Sequence, residues 1–215
     1  MYKVILGLYL ITMSILPVLA NADESQDLQS IQQQWALTNY ELEDQEQIKA
    51  FKKLSDQSAL FVKNYPDSAK SHIWHGIVLA SYAGAKGGIG ALGLAKDAKK
   101  SLEEAIIIDG TALDGSAYAS LATLYSKVPG WPIGFGDDDE AQKLFKKALA
   151  LNLNSIDTNY LYAEFLYDEG DYEQAKARLL VAQAAGIRDS RPKADKYRQQ
   201  AISQLLAKVN KKLKR

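Results

Sequence analysis

From Ser25 onward the chain keeps returning to one pattern: apolar residues three and four apart, interrupted by short turns rich in polar residues, glycine or proline. That spacing puts the apolar residues on one face of a helix. Ser25 to Tyr40 carries Leu28, Ile31 and Trp35 in this way, and Glu41 to Asn64 carries Ile48, Phe51, Leu54, Phe61 and Val62. The second run ends at Asn64-Tyr65-Pro66-Asp67, since proline cannot continue a helix and drives the preceding residue extended. One signature then recurs, Ala-x3-[Phe/Leu]-x2-Ala, at Ala98-Leu102-Ala105, Ala141-Phe145-Ala148 and Ala175-Leu179-Ala182. The last two copies are offset by 34 residues. A fixed period of this length marks a stack of helix pairs.

The rest of the pattern agrees. Tyr162-Ala163, Leu166, Gly170 and Tyr172 precede the third signature, and Leu121-Ala122 with Tyr125 precede the second. Counting on from Pro66, the next pair starts at Ala69, with Gly76 as its small residue and Leu79 as its bulky one. The third pair is regular, whereas the first two carry insertions between their helices, of about ten residues over Leu79 to Ala98 and about seven over Tyr125 to Ala141. The predicted fold is all-α: an α-solenoid of three to four helix hairpins with a C-terminal capping helix. It divides into a degenerate N-terminal pair over 23–66, repeats with two inter-helix insertions over 67–187 and a basic cap over 188–215. That cap opens at Pro192 and presents Tyr197, Ala201, Leu205 and Val209 on one face, the way a solenoid covers its last apolar edge.

The first 22 residues follow a different rule. Lys3, an apolar run from Val4 to Leu16, Pro17 and Ala20-Asn21-Ala22 have the order of a secretory signal peptide. The run is shorter than the ~20 residues a membrane span needs, so the mature chain is expected to lack a transmembrane segment. No cysteine is present, which excludes disulfides, thiolate chemistry and a lipid-modified cysteine. Export without disulfides points to the periplasm of a Gram-negative bacterium. Net charge is zero, but residues 188–215 hold ten basic side chains against Asp189 and Asp195. An exported acidic body with a basic last helix is not the charge pattern of a nucleic-acid binder.

Candidate chemistry is sparse. Gly88-Ile89-Gly90-Ala91-Leu92-Gly93 spells G-x-G-x-x-G, but a helix precedes it where a nucleotide site requires a strand. His72 and His75 share a helix face without a third ligand for zinc, and no nucleophile elbow or zincin motif occurs. Asp137-Asp138-Asp139-Glu140 suits a helix N-terminus better than a calcium loop. No catalytic residue, metal or cofactor is expected. Two candidate binding elements remain. One is the second insertion, Val128-Pro129-Gly130-Trp131-Pro132-Ile133-Gly134-Phe135-Gly136-Asp137, where two prolines and three glycines shape a loop around Trp131 and Phe135. Those aromatics either plug the end of the solenoid or form a lip over a ligand or partner site. The other is the concave face, built from the first helix of each pair: Asp157, Tyr160, Glu164 and Tyr167 in the third, and Ala119, Thr123 and Ser126 in the second.

On these residues the chain from about Asp67 to Gly186 resembles the tetratricopeptide-repeat superfamily. Gly110 and Leu153 depart from it where a terminal proline is usual. Its glycine-rich first insertion, and the run Pro-Gly-Trp-Pro-Ile-Gly-Phe-Gly-Asp within the later one, make it similar to a bacterial periplasmic group related to the T component of tripartite ATP-independent periplasmic transporters. The resemblance implies non-catalytic binding of a protein or peptide partner, with oligomerisation possible. The alternative it implies is a small-molecule-binding accessory protein of such a transporter.

Overall fold

A computed structural model describes residues 23–214, apart from the side chain of Ile89. The expected signal peptide over 1–22 lies outside the described residues. Within them the fold is all-α, in nine helices: α1 (Glu24–Glu41), α2 (Asp44–Asn64), α3 (Ala69–Lys86), α4 (Ile89–Asp109), α5 (Ala112–Lys127), α6 (Asp138–Leu151), α7 (Ile156–Asp168), α8 (Tyr172–Ala184) and α9 (Pro192–Leu213). The third helix starts at Ala69 and the last at Pro192, where the proline spacing places them. None of these helices is long and apolar enough to cross a membrane.

The helices form an α-solenoid of antiparallel pairs, α1 with α2, α3 with α4, α5 with α6 and α7 with α8. All nine residues of the three signatures are fully buried. They sit on the second helix of each pair, where alanines let backbones approach and the central Leu102, Phe145 or Leu179 fills the space. Phe145 stacks on Tyr162 at 5.1 Å between ring centroids, which ties one pair to the next. Truncating such a fully buried phenylalanine costs about 3–5 kcal/mol, so this is a principal joint of the stack.

The first insertion does not form a loop. Its extra residues lengthen α3 to 18 residues and α4 to 21, and only Gly87 and Gly88 separate the two helices. Both glycines have positive φ (60° and 62°), a conformation that L side chains resist. The helices therefore reverse direction without a connecting segment. The second insertion is a loop, closed by a bridge between Gly130 and Gly136.

The first helices of the pairs line the inside. Each packs on the next, α1 on α3, α3 on α5 and α5 on α7, and α9 continues the series from α7. Then α9 meets α1. Tyr197 stacks on Tyr40 at 4.7 Å with planes 11° apart, and Lys193 Nζ pairs with Glu41 Oε1 at 2.7 Å. The inner layer is a closed ring of five helices rather than an open arc.

Candidate functional site

The ring surrounds a cavity of about 360 Å3 that is open to solvent on one side. Its apolar wall is Trp35 from α1, Trp74, Ile77 and Ala80 from α3, Leu113 and Ala119 from α5, and Leu161 from α7. Trp74 is only 2% exposed. Its edge meets the Trp35 ring at 6.0 Å, and Trp35 Nε1 donates to Ser81 Oγ at 2.8 Å. Trp74 Nε1 is buried with no acceptor. Leu113 and Asp114 reach the cavity from a left-handed kink at the head of α5 (φ 49° and 57°), completed by Gly115. Left-handed geometry costs roughly 1–2 kcal/mol for each residue with a side chain, so packing must hold this turn in place.

The polar wall is an ion cluster brought in by α9 and the segment before it. Asp157 of α7 accepts from Arg198 Nε at 3.1 Å, from an Arg188 terminal nitrogen at 2.8 Å and from an Arg191 terminal nitrogen at 3.4 Å. Buried Asp195 takes the rest of Arg188, accepting from its backbone N–H at 2.8 Å, from Nε at 2.9 Å and from a terminal nitrogen. Arg198 lies over the ring of Tyr160 at 4.3 Å, and Arg191 over the ring of Trp74 at 5.0 Å. Burial works against ionising Asp157, yet Arg198, Arg191 and Arg188 outweigh it and hold its carboxyl below the usual range. Arg191 is also lowered, which in its case disfavours the charged form. Burial, reinforced by the nearby charge of Arg188, lowers it from the ordinary arginine value despite Asp157.

The expected concave residues divide by this geometry. Asp157, Ala119 and Thr123 line the cavity. Tyr160 is buried and donates to Glu164 Oε1 at 2.8 Å, so this pair braces α7 behind Arg198. Burial, then the Glu164 charge and hydrogen bond, push the Tyr160 hydroxyl well above its usual range. Tyr167 packs on Tyr172 at 5.5 Å, and the Ser126 hydroxyl turns back to the Thr123 carbonyl at 3.0 Å. The two tryptophans and three arginines were not singled out from sequence. Their signal was present in Arg188, Arg191 and Arg198 at the head of a helix read only as a cover, and in Trp35 and Trp74 at inner positions of consecutive pairs.

The loop of the second insertion splits its two aromatics. Phe135 turns in and packs edge-on against Tyr125 at 5.6 Å. Lys99 of α4 lies 5.7 Å from the Phe135 ring and pairs with Glu103 at 2.6 Å. Trp131 turns out and is 90% exposed, with Ile133 at 69%. The loop backbone beneath them is held by hydrogen bonds. Gly136 N–H donates to Pro129 O at 3.0 Å, Gly134 N–H to Gly130 O at 3.1 Å and Asp137 N–H to Tyr125 O at 3.0 Å. At Gly136 any side chain would collide with the Val128 carbonyl, so the crossing requires glycine. Asp137 then caps α6 by accepting from Glu140 N–H at 3.0 Å, with Asp138, Asp139 and Glu140 in the first turn where the helix dipole favours them. The histidines have local partners: His72 Nε2 bonds Pro66 O and His75 Nδ1 bonds Ser58 Oγ, both at 2.8 Å.

Residues 133–194 match the family model of the tetratricopeptide repeat. No curated protein matches the chain. The matched stretch covers α6 to the start of α9, and the same signature packs the same way in the pair before it. The match supports a tetratricopeptide-repeat assignment for this stretch, and the signature and its packing extend the likeness to the helix pair before it.

Proposed function

We propose that this chain is a periplasmic scaffold without a catalytic role, which docks a protein partner through the Trp131 loop. The observation that carries the reading is Trp131, a large aromatic exposed on a backbone that is itself held fixed. A pre-ordered aromatic anchor loses little freedom on binding, and such residues dominate interface energetics. Proteins built from this repeat generally serve as interaction scaffolds rather than enzymes. The test is a photocrosslinking residue in place of Trp131 in living cells, beside one at the exposed Lys208 of α9. A discrete adduct from position 131 and not from 208 is expected, and equal or absent labelling would remove the loop from the interface.

The cavity favours a second reading, a small-molecule-binding accessory protein of a periplasmic transporter. Its volume lies in the range of small-ligand sites, and its wall is mainly apolar with a few convergent polar groups.

A further inference from the structure

We propose that the ring cavity binds a small organic monocarboxylate, with Arg191 facing the carboxylate and the apolar wall holding its body. The proposal rests on the second reading above and adds the chemistry of the ligand. It starts from a shortage of acceptors. Three guanidinium groups converge on the cavity, and Asp157 and Asp195 are the carboxylates bonded to them. Asp195 is occupied by Arg188, and Asp157 is divided among all three. Arg191 receives least, one contact at 3.4 Å. It also lies over the faces of Trp74 and Trp35, at 5.0 and 6.0 Å. A guanidinium has five N–H donors, so most of those on Arg191 have no protein acceptor.

Arg198 adds to this shortage: its one carboxylate contact is Nε to Asp157 Oδ1 at 3.1 Å, so the cluster presents more donors than its two carboxylates accept. A carboxylate supplies two acceptor oxygens and one negative charge. It meets the planar fork of an arginine bidentately.

The other charges narrow the class. Asp114 stands on the same wall, with one oxygen accepting from Asn152 Nδ2 at 3.1 Å, so the second charge of a dianion would lie against a carboxylate. A single carboxylate matches the excess of three guanidiniums over the two carboxylates bonded to them, and a lone amine would meet that same positive excess. Ile77, Ala80, Leu113 and Leu161 provide the surface for a branched aliphatic or aromatic body.

The chain has three tryptophans, and Trp131→Phe leaves only Trp35 and Trp74, both on the cavity wall. In that background, intrinsic fluorescence and calorimetry would follow titration with hexanoate, 4-methylpentanoate and phenylacetate, with the matching amides and amines in parallel. Saturable binding of at least one carboxylate is expected, at least tenfold tighter than its amide, with the amine silent. Arg191→Gln should weaken it at least tenfold. Should that variant unfold, Ser120→Leu fills the cavity without touching the ion cluster and should abolish binding at unchanged helicity. Equal binding of acid and amide would overturn the carboxylate assignment while leaving a small-molecule cavity standing. No binding by any carboxylate would remove both.

Discussion

Trp131 and Trp74 represent two ways of using an aromatic side chain on one scaffold. Around Trp74 the backbone is ordinary helix and the side chain faces inward, under an arginine and against a second indole. Around Trp131 the side chain is bare and the backbone is what is fixed, by the loop's own hydrogen bonds and by Phe135 packed beneath. In the cavity the side chains need each other, so removing one charge strands the rest. In the loop the anchor and its support are separate residues, four apart. Surface exposure and stability are therefore carried by different residues in the loop and by the same residues in the ring.

The largest effect that tests this contrast is at Asp157. Replacing it with alanine leaves Arg188, Arg191 and Arg198 without their shared acceptor. We expect a loss of about 2–4 kcal/mol, moderated because the Asp157 side chain is 27% exposed. Chemical denaturation of Asp157→Ala against the parent checks this, and an unchanged midpoint would show the cluster to be dispensable. Next comes the loop. Phe135→Ala should cost about 1–3 kcal/mol by removing the contact with Tyr125. Trp131→Ala should stay within about 0.5 kcal/mol, since exposed side chains away from special features seldom matter more. Equal destabilisation by the two would erase the division of labour between them.

How far these roles could be read in the sequence follows the same line. The signature alanines, Phe145 and the turn prolines announced the fold because helix periodicity is local and each residue needs only its own turn to be recognised. The positive-φ pair Gly87-Gly88 was legible as a turn, but its consequence was not. Whether ten extra residues become loop or longer helix depends on what the extended ends pack against. Trp131 and Phe135 were identifiable as a pair and not as opposites, for which side of the loop faces α4 is a tertiary fact. The ion cluster was the least legible. Asp157 and Arg198 are 41 residues apart and meet only because the stack curves back on itself. A basic stretch with an apolar face reads as a solvated cover until that curvature is known.

Acid titration offers the smallest and finest test. Burial, then the charge of His72, lowers the His75 imidazole below its ordinary 6.5, with Asp97 opposing. The unfolded chain thus takes up this proton before the folded one, so stability is full above pH 6.5 and declines as pH falls below it. Asp157 behaves differently, its contribution being present above 3.8 and lost only as pH drops through the lower folded-state value. Denaturation midpoints at pH 7.5, 5.5 and 2.0 should therefore show two separate declines. His75→Gln should remove the upper one and leave the lower.

The contact of α9 with α1 alters how the molecule comes into being. An open stack of repeats can grow from one end, each pair resting on the last. Here Tyr197 reaches Glu41 across 156 positions of chain. While the chain folds, the inner surfaces of α1, α3, α5 and α7 stay unroofed until α9 docks the arginines that complete the wall. The cavity is the last thing made, and the long-range closure that makes it should be the slow step of folding.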